Sequence, residues 1–356
     1  MTTLILPVAG KSSRFPNMRP KWLLTMPSGN LMYEEALIDF PKREFDRIIV
    51  TCLREHLDSY ASLDQLELSA KQKIADNVEF LVLDKPTASH SETVYETLVR
   101  SGVNGGFYLK DCDNRFAIEY IKGNSVASIS LNEIDLIDAK NKSYIELDEL
   151  GYVRNIVEKN VISSDFCCGG YSFASAKKFI ESYKRLNGLK KQVTGEIYIS
   201  HVIYDLLLQG EIFRSHRAEK YEDWGTLREY RHACRQLVTV FCDVDGVLLS
   251  NGSKFGPNGW ATDPIVRNVT ALKELQDKGM LFLVVTTSRP MEQEQYVLRK
   301  LSEYGLKVDS FVGGLPHSKR VLVNDFSATN PYPTSIAINL ERNSEALGHH
   351  LIHLTA

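Results

Sequence analysis

The chain has 356 residues, a length that predicts two domains at roughly 100–200 residues per domain. Its 43% hydrophobic and 24% charged residues are typical of a globular protein, and its net charge of −3 excludes the bulk basic field used to bind nucleic acid or anionic membranes. The sequence has no apolar run of about 18 residues, no secretory signal and no CxxC pair among its six cysteines, so we expect a cytoplasmic protein with buried, reduced thiols.

In the first 110 residues, short apolar strand candidates alternate with amphipathic helix candidates. The strands are predicted at 3–9, 47–52, 78–83 and 105–111, and the helices at 31–40 and 91–101. Such alternation predicts an α/β fold whose sheet is mainly parallel and covered by helices on both faces.

Residues 125–172 carry denser strand signals, among them "SVASISL" and "CCGGYSF". We expect this segment to form a hairpin-rich insertion or lid over the first sheet. A helix is predicted within 195–210, and Gly210 is expected to end it.

A second strand–helix pattern starts at Val238. It contains strands at 238–243, 281–286 and 320–324 and helices near 264–278 and 291–304. No glycine–serine linker separates the two halves, and the change of pattern near 232–237 predicts a boundary between domains 1–235 and 236–356.

The first predicted strand is followed by a loop of small and basic residues, "AGKSSRF". Gly10, Ser12 and Ser13 can let backbone N–H groups face an anion, while Arg14 and Lys21 add fixed positive charge. The loop lacks the glycine spacing of the Walker A and dinucleotide-binding motifs, so by itself it is weak evidence for a phosphate site.

Acidic residues stand where a further strand ends. "FYLKDCDNRF" ends in Asp111 and Asp113, at the place where open α/β sheets bind ligands, and such carboxylates suit a Mg²⁺ ion that bridges triphosphate oxygens. "EDWGT" adds Asp223 at a tight turn. "KPTASHSETV" is a small-residue loop that can contact a base through its backbone.

Six landmarks occur in one order: "AGKSSRF…RPKWL", "TASHSETV", "KDCD", "EK" before "GGYSF", "GE" at a helix start, and "DWGT". In this order, residues 1 to about 232 resemble the sugar-phosphate nucleotidylyltransferases, or nucleoside-diphosphate-sugar pyrophosphorylases. The resemblance implies a Rossmann-like sheet of the GT-A type. It is strongest to the branch that contains cytidylyl- and uridylyltransferases, which favours CTP, although Lys11, Ser12 and Ser89 stand where many relatives have glycine.

The resemblance also implies roles for single residues around the nucleotide. The triphosphate would be cradled by Ala9, Gly10, Lys11, Ser12 and Arg14. The base would be met by Ser89 and His90. Lys21 would hold the phosphates in the transition state.

The same resemblance places the metal and the acceptor. Mg²⁺ would be held by Asp111 or Asp113 together with Asp223. Lys159 would bind the phosphate of the sugar and Glu158 its hydroxyl groups. The acceptor's phosphate oxygen would attack the α-phosphorus and pyrophosphate would leave in line, so the protein supplies positioning and charge neutralisation.

A second pair of acids lies in "VFCDVDGVLL", where Asp243 and Asp245 follow an apolar strand. Two nearby acids can share Mg²⁺ while one attacks phosphorus, and Gly246 permits the turn that follows. Downstream, "LFLVVTTSRP" is a strand ending in hydroxyl groups and Arg289, and "HSKRVLVNDF" places two basic residues before a strand that ends at Asp325.

This order resembles the haloacid-dehalogenase-like (HAD) phosphatases over about 238–350. The resemblance implies a small Rossmann-like domain, in which spacings of 44 residues from Asp243 to Thr287 and 32 from Thr287 to Lys319 leave no room for a large cap. Asp243 would be the nucleophile and Asp245 the general acid and base. Thr287 would bind the phosphoryl group. Lys319 or Arg320 would neutralise charge. Asp325 would form a Mg²⁺ site with Asp243 and Asp245.

The sequence therefore predicts a cytoplasmic bifunctional enzyme with Mg²⁺ in both domains. Its partners would be CTP or another nucleoside triphosphate and a phosphorylated sugar or polyol, in a pathway to capsule, lipopolysaccharide or teichoic-type polymers. The second domain would act as a phosphatase on an ester of the same pathway. Two alternatives stay open: an acceptor such as phosphocholine or aminoethylphosphonate, and a regulatory subunit with degenerate sites. No nucleic acid or membrane is expected as a partner, and a homo-oligomer is left open.

Overall fold

The computed structural model describes residues 2–12, 14–15, 18–134, 139–190, 196–324 and 335–352. The chain divides into two units, Met1–Tyr230 and Arg231–Ala356, and the division falls within a helix. Each unit has a sheet and a hydrophobic core of its own.

The first unit alternates strands and helices along most of its length. Its strands are β1 (Thr3–Pro7), β2 (Arg47–Leu53), β3 (Val78–Leu83), β4 (Phe107–Lys110), β5 (Asn114–Ala117), β6 (Ser125–Ser130), β7 (Ser143–Leu147), β8 (Val153–Glu158), β9 (Asp165–Phe173), β10 (Arg214–Arg217) and β11 (Glu219–Asp223). Its helices are α1 (Met32–Glu35), α2 (Arg54–Tyr60), α3 (Leu63–Lys73), α4 (His90–Ser101), α5 (Ala176–Lys190) and α6 (Ile199–Leu208), and α7 (Leu227–Gln236) contains the division.

Strand β1 lies between β2 and β4, and both pairings are parallel. β3 continues the parallel part beyond β2. β1 is buried along its whole length, and its residues alternate between two cores: Leu4 packs in the core that contains Trp22, and Ile5 in the core that contains Leu98 of α4. A continuous apolar strand with both faces covered is what a parallel sheet requires.

The predicted strands β1 to β4 are parallel as expected, but the sheet as a whole is mixed. β9 lies antiparallel between β4 and β6, and β10 pairs with β6. The segment 125–172 therefore extends the sheet instead of lying over it, and its hairpin β7–β8 is attached to β9 through Tyr144 and Phe166. The reason is burial: β9 is buried from Phe166 to Phe173, and a buried backbone must find hydrogen-bond partners on both sides.

The local predictions in the first unit hold with shifted ends. The four predicted strands are observed as β1 to β4, and the helix 91–101 as α4. The helix predicted within 195–210 is α6, which ends at Leu208 just before Gly210 in the left-handed region (φ 86°). The predicted helix 31–40 is reduced to the short α1 followed by turns.

The second unit is built around a small parallel sheet. Its strands are β12 (Val238–Asp243), β13 (Leu281–Thr286) and β14 (Ser310–Val312), in that order across the sheet, and its helices are α8 (Val266–Asp277), α9 (Glu294–Ser302) and α10 (Leu347–Ile352). The core of this unit includes Cys242, Leu283 and Val285 of the sheet together with Leu272 of α8 and Leu301 of α9.

The strand predicted at 320–324 is not formed. Residues 320–324 have no regular structure, and Val321 and Val323 are exposed. The place beside β13 is taken by Ser310–Val312, which the sequence analysis did not identify. A short apolar run has strand propensity, but its pairing is decided by which neighbour fills the sheet position.

Across the described ranges, no helix combines the length and the apolar character needed to cross a membrane.

Candidate active site

A cavity of about 550 Å³ opens in the first unit at the carboxyl ends of β1 and β4. The sequence-predicted residues that line it are Gly10, Lys11, Ser12, Arg14, Lys21, Ser89, His90, Asp111, Asp113, Glu158, Lys159 and Asp223. Ala9 is an exception, because it is buried in a small cluster with Leu53 and Leu83. Loops and strand ends far apart in sequence thus meet at one cavity.

The loop after β1 is held together by Ser12. Its Oγ accepts a hydrogen bond from the Lys21 backbone N–H (2.9 Å), and its carbonyl accepts one from Phe15 N–H (2.8 Å). Ser12 has φ 49°, in the left-handed region where most residues with a side chain are strained. Such a loop places the backbone of the first strand's end and the Lys21 side chain at the same cavity.

Lys21 and Asp113 form an ion pair across the cavity, with 2.5 Å between Nζ and Oδ2. Burial alone would lower the pKa of Lys21, but the charge and hydrogen bond of Asp113 raise this pKa well above its usual value. Burial likewise opposes ionisation of Asp113, yet Lys21, followed by Lys142 and Arg14, brings the pKa of this carboxyl far below its usual range. Both groups are therefore charged at neutral pH.

Lys142, which the sequence analysis missed, pairs with Asp223. Its Nζ donates a short hydrogen bond to Asp223 Oδ2 and another to Tyr221 Oη (3.1 Å). The other carboxylate oxygen, Oδ1, accepts from Gly225 N–H (3.0 Å). Burial would lower the pKa of Lys142, but the Asp223 charge raises it.

Gly225 lies where two aspartate carboxylates and an arginine guanidinium come close together. A Cβ at this glycine would lie 3.1 Å from Asp223 Oδ1, 3.4 Å from Asp113 Oδ2 and 3.8 Å from Arg14 Nη1. A side chain at this position of the "DWGT" turn would therefore crowd Asp223 Oδ1 and come into contact with Asp113 and Arg14.

Asp111 lacks the lysine partner that the other two acids have. Its Oδ1 is buried without a hydrogen-bond partner among the described residues, and His90 Nε2 lies 3.4 Å from it. Burial raises the pKa of Asp111, and His90 opposes that rise. Gly169 (φ 84°) leaves space for the Asp111 carboxylate, since a Cβ at position 169 would lie only 2.7 Å from Asp111 Oδ2.

These residues fit a Mg²⁺ ion. Mg²⁺ is usually held by one or two carboxylates and completes its shell with phosphate oxygens and water. A buried carboxylate oxygen without a partner is costly unless a cation or a donor reaches it, and Asp111 offers such an oxygen. No group of three or more His, Cys, Asp or Glu side chains within the described ranges forms a ready-made metal cage, so water or phosphate oxygens would have to complete the metal's shell.

The turn that carries Asp111 and Asp113 is fixed by Lys110, a second residue missed from the sequence. Its fully buried Nζ donates to the carbonyl of Asp111 (2.8 Å) and to the carbonyl and Oδ1 of Asn114 (2.8 and 2.6 Å). Burial lowers the pKa of Lys110 to about 8.

The predicted base contacts have different surroundings. Ser89 is the N-cap of α4, and its Oγ accepts from Glu92 N–H (3.1 Å) while lying 3.0 Å from Ser91 Oγ. The Ser89 hydroxyl is therefore used within the helix start, which leaves the loop backbone to face the cavity. His90 lines the cavity, and its Nε2 lies 3.4 Å from Asp111 Oδ1.

At the far side of the cavity, Glu158 and Lys159 are held by residues that the sequence did not single out. Glu158 Oε2 accepts hydrogen bonds from Ser200 Oγ (2.7 Å) and from Ser143 Oγ. Lys159 has φ 56°, and its Nζ donates to Tyr198 Oη (2.6 Å). No local motif reveals these partners, because they come from other strands and from the start of α6.

The second unit gathers Asp243 and Arg320 at the carboxyl end of β12. Asp243 Oδ1 lies 3.2 Å from Arg320 Nη2 and accepts from Val244 N–H (3.0 Å). Lys319 is exposed, and Asp325 lies outside the described residues. Arg320 is thus the basic residue beside the predicted nucleophile.

Asp245 is held by Arg289, whose side chain is fully buried. Arg289 Nη2 lies 2.7 Å from Asp245 Oδ1, and Nε lies 3.1 and 3.0 Å from the two carboxylate oxygens. Arg289 also donates to the Trp260 carbonyl and to Thr262 Oγ1 (both 2.8 Å), while Thr287 Oγ1 lies 3.4 Å from Asp245. Asp245 is therefore the centre of a partly buried polar network.

Comparison with solved structures identifies the fold of the N-terminal part. A nucleoside-diphosphate-sugar pyrophosphorylase from Vibrio cholerae RC9 is similar with a TM-score of 0.56 and 21% identity, covering 65% of this chain and 100% of that one. A UDP-glucose pyrophosphorylase solved with UDP-glucose gives a TM-score of 0.51 and 17% identity, covering 66% of this chain and 97% of that one. No protein-family model and no curated protein sequence matches the chain.

The first unit thus has the α/β fold, with a large mixed sheet, of sugar nucleotidylyltransferases. For this part, the predicted fold class is confirmed. The HAD-like fold of the remainder stays a prediction.

Proposed function

We propose that the first unit transfers the nucleotidyl group of a nucleoside triphosphate to the phosphate of a sugar or polyol and releases pyrophosphate. The observation that carries the proposal is the convergence of Arg14 and Lys21 with Asp111, Asp113 and Asp223 on one cavity. Loop cations and strand-end carboxylates are the groups that a triphosphate and its metal need. The fold similarity to a nucleoside-diphosphate-sugar pyrophosphorylase supports it.

The reaction needs little covalent chemistry from the protein. An oxygen of the acceptor phosphate forms a bond to the α-phosphorus, and the bond from the α-phosphorus to the bridging oxygen breaks, so the electron pair leaves with pyrophosphate. Arg14 and Lys21 bind the phosphate oxygens on which negative charge accumulates. To do so, Lys21 exchanges its carboxylate partner Asp113 for a phosphate oxygen. Mg²⁺, held by Asp111 and Asp223, would neutralise further phosphate charge.

The acceptor is proposed to lie at Glu158 and Lys159. Lys159 supplies the positive charge for the acceptor phosphate. Glu158 accepts hydrogen bonds from hydroxyl groups through the carboxylate oxygen that Ser143 and Ser200 leave open. CTP is the preferred nucleotide in this proposal, on the resemblance of the loop sequences. The pathway proposed is surface-polysaccharide synthesis in the cytoplasm.

A nucleotide-by-acceptor screen tests the first proposal. The full chain is mixed with Mg²⁺, one of CTP, UTP, ATP and GTP, and a panel of sugar phosphates, polyol phosphates, phosphocholine and aminoethylphosphonate. Pyrophosphate release is expected with CTP and a sugar or polyol phosphate. Lys21→Ala should lower the release by about 10²–10³-fold. The control Lys177→Ala, which changes an exposed lysine on α5, should leave it unchanged. The proposal fails if no nucleotide releases pyrophosphate with any acceptor of the panel.

For the second unit we propose a Mg²⁺-dependent phosphatase of the HAD type, with Asp243 as nucleophile. The support is the position of Asp243 at the carboxyl end of β12, beside Arg320 and close in register to Thr286 of β13. A carboxylate oxygen of Asp243 would bond to phosphorus, the ester oxygen would leave with a proton, and water would then release phosphate. For Asp245 to supply that proton it must first leave Arg289. Hydrolysis of p-nitrophenyl phosphate by the full chain is the direct test.

A further inference from the structure

We infer that Lys142 is a resident cation that holds Asp223 when no metal is bound and yields this carboxylate to the divalent metal. The inference rests on the proposed function of the first unit, because the metal belongs to that reaction. Lys142 acts here as a positioning residue.

The first step of the argument is the selective pairing of the three acids. Asp113 is paired with Lys21, a loop residue that the reaction needs for phosphate. Asp223 is paired with Lys142, which directly precedes β7 and does not belong to the nucleotide loop. Asp111 keeps an oxygen without a partner in the described part of the chain. A metal at this site would find Asp111 open and Asp223 already occupied.

The second step is burial. The Asp223 side chain is 3% exposed and the Lys142 side chain 15% exposed. A carboxylate removed from water to this extent is costly without a compensating cation. Lys142 therefore neutralises the Asp223 carboxylate in the metal-free protein, as a divalent ion would in the metal-bound protein.

The third step is competition for one atom. Asp223 Oδ1 already accepts the Gly225 N–H, and Oδ2, which has no backbone donor in these contacts, is the atom that Lys142 contacts. A metal that binds through Oδ2 therefore meets the Lys142 ammonium. Two cations at contact distance from the same oxygen repel each other strongly in a buried site. The metal and the Lys142 ammonium thus exclude each other.

The fourth step is the set of contacts, other than Asp223, that surround the ammonium. Lys142 Nζ also donates to Tyr221 Oη, and it lies 5.7 Å from the ring centroid of Tyr221 and 6.0 Å from that of Phe166. Aromatic faces and a hydroxyl group stabilise a displaced ammonium without a carboxylate. In addition, the Lys142 carbonyl accepts the Lys159 N–H (2.9 Å), so this lysine is joined through the backbone to the acceptor side of the cavity.

The test measures Mn²⁺ binding to the full chain by calorimetry, without nucleotide or acceptor. Lys142→Met and Lys142→Gln should bind Mn²⁺ at least about fivefold more tightly than the wild type, because the competing charge is gone. Gln keeps a hydrogen-bond donor for Asp223, so it protects the fold if Met does not. Lys142→Arg should bind like the wild type, and Lys177→Met serves as the matched control. Asp223→Asn should weaken Mn²⁺ binding both in the wild type and in the Lys142→Met variant.

Thermal unfolding gives a second readout. If Lys142 only stabilised the fold, its loss would lower the unfolding temperature without increasing the stabilisation by Mn²⁺. Without metal, both neutral variants should unfold at a lower temperature than the wild type, and Mn²⁺ should raise their midpoint by more than it raises that of the wild type. Unchanged or weaker Mn²⁺ binding by both neutral variants, or no Mn²⁺ binding by the wild type, would overturn the inference. The transferase proposal is judged separately, by pyrophosphate release, so the two can fail independently.

Discussion

Lys159 shows how a single residue is fixed for binding. Its φ of 56° lies in a region that costs most residues with a side chain about 1–3 kcal/mol, and such strain persists only where the surroundings impose it. Here the surroundings include Tyr198, which receives the Nζ hydrogen bond at 2.6 Å and presents its ring 4.3 Å from the ammonium. The Lys159 charge is therefore held in one position, which would lower the ordering cost of binding the proposed acceptor.

This geometry makes the hydroxyl group of Tyr198 testable apart from its ring. Tyr198→Phe removes the acceptor of the Lys159 hydrogen bond and keeps the ring contact. The KM for the acceptor should rise about fivefold, corresponding to about 1 kcal/mol for one hydrogen bond, while the KM for the nucleotide stays unchanged. Tyr204→Phe, an exposed tyrosine on α6, is the matched control. An equal rise in both KM values would argue against a position on the acceptor side.

At the scale of elements, the sequence predicts which residues follow the end of a strand, but it does not predict which distant residues contact them. Strand β4 and the acids after it could be predicted, because an apolar run followed by "KDCD" is a local signal. The partner of Asp223 could not, since Lys142 lies 81 residues away and nothing in "NKSYIEL" separates it from Lys140. The place of β9 in the sheet was missed for the same reason, because antiparallel pairing with β4 and β6 is decided by burial across the whole unit.

Gly169 of β9 tests how this strand shapes the surroundings of Asp111, the proposed metal ligand. Gly169→Ala puts a Cβ 2.7 Å from Asp111 Oδ2 and 2.5 Å from Asn114 Nδ2, in a backbone with φ 84°. Gly210→Ala is matched, since φ there is 86° and no heavy atom lies within 4 Å of the added carbon. Urea unfolding should show a loss of about 1–2 kcal/mol for Gly210→Ala from backbone strain alone. Gly169→Ala should lose about 1–3 kcal/mol more from the clash and should also bind Mn²⁺ more weakly. Equal losses in the two variants would mean that the strand tolerates the methyl group.

Across the whole molecule, both units neutralise their acids with cations of their own. In the first unit, the pairs are Lys21–Asp113 and Lys142–Asp223. In the second unit, they are Arg320–Asp243 and Arg289–Asp245. Asp111 is the exception, since its Oδ1 has no hydrogen-bond partner among the described residues. The four paired acids are stabilised before a ligand binds, and a ligand that reaches them must replace a protein contact.

Since each unit contains its own acids and cations, the two proposed activities should be separable by single substitutions. Lys21→Ala should lower nucleotidyl transfer by about 10²–10³-fold and leave hydrolysis of p-nitrophenyl phosphate unchanged. Asp243→Asn should abolish that hydrolysis, because an amide does not attack phosphorus, and should leave pyrophosphate release unchanged. Exposed lysines in each unit, Lys177 and Lys307, supply alanine controls. If either substitution removed both activities from a protein that still folds, by circular dichroism, the two sites could not be independent. If the wild type hydrolysed no phosphate ester, only the phosphatase proposal would be wrong. The transferase proposal would still be tested by comparing pyrophosphate release by the wild type and by Lys21→Ala.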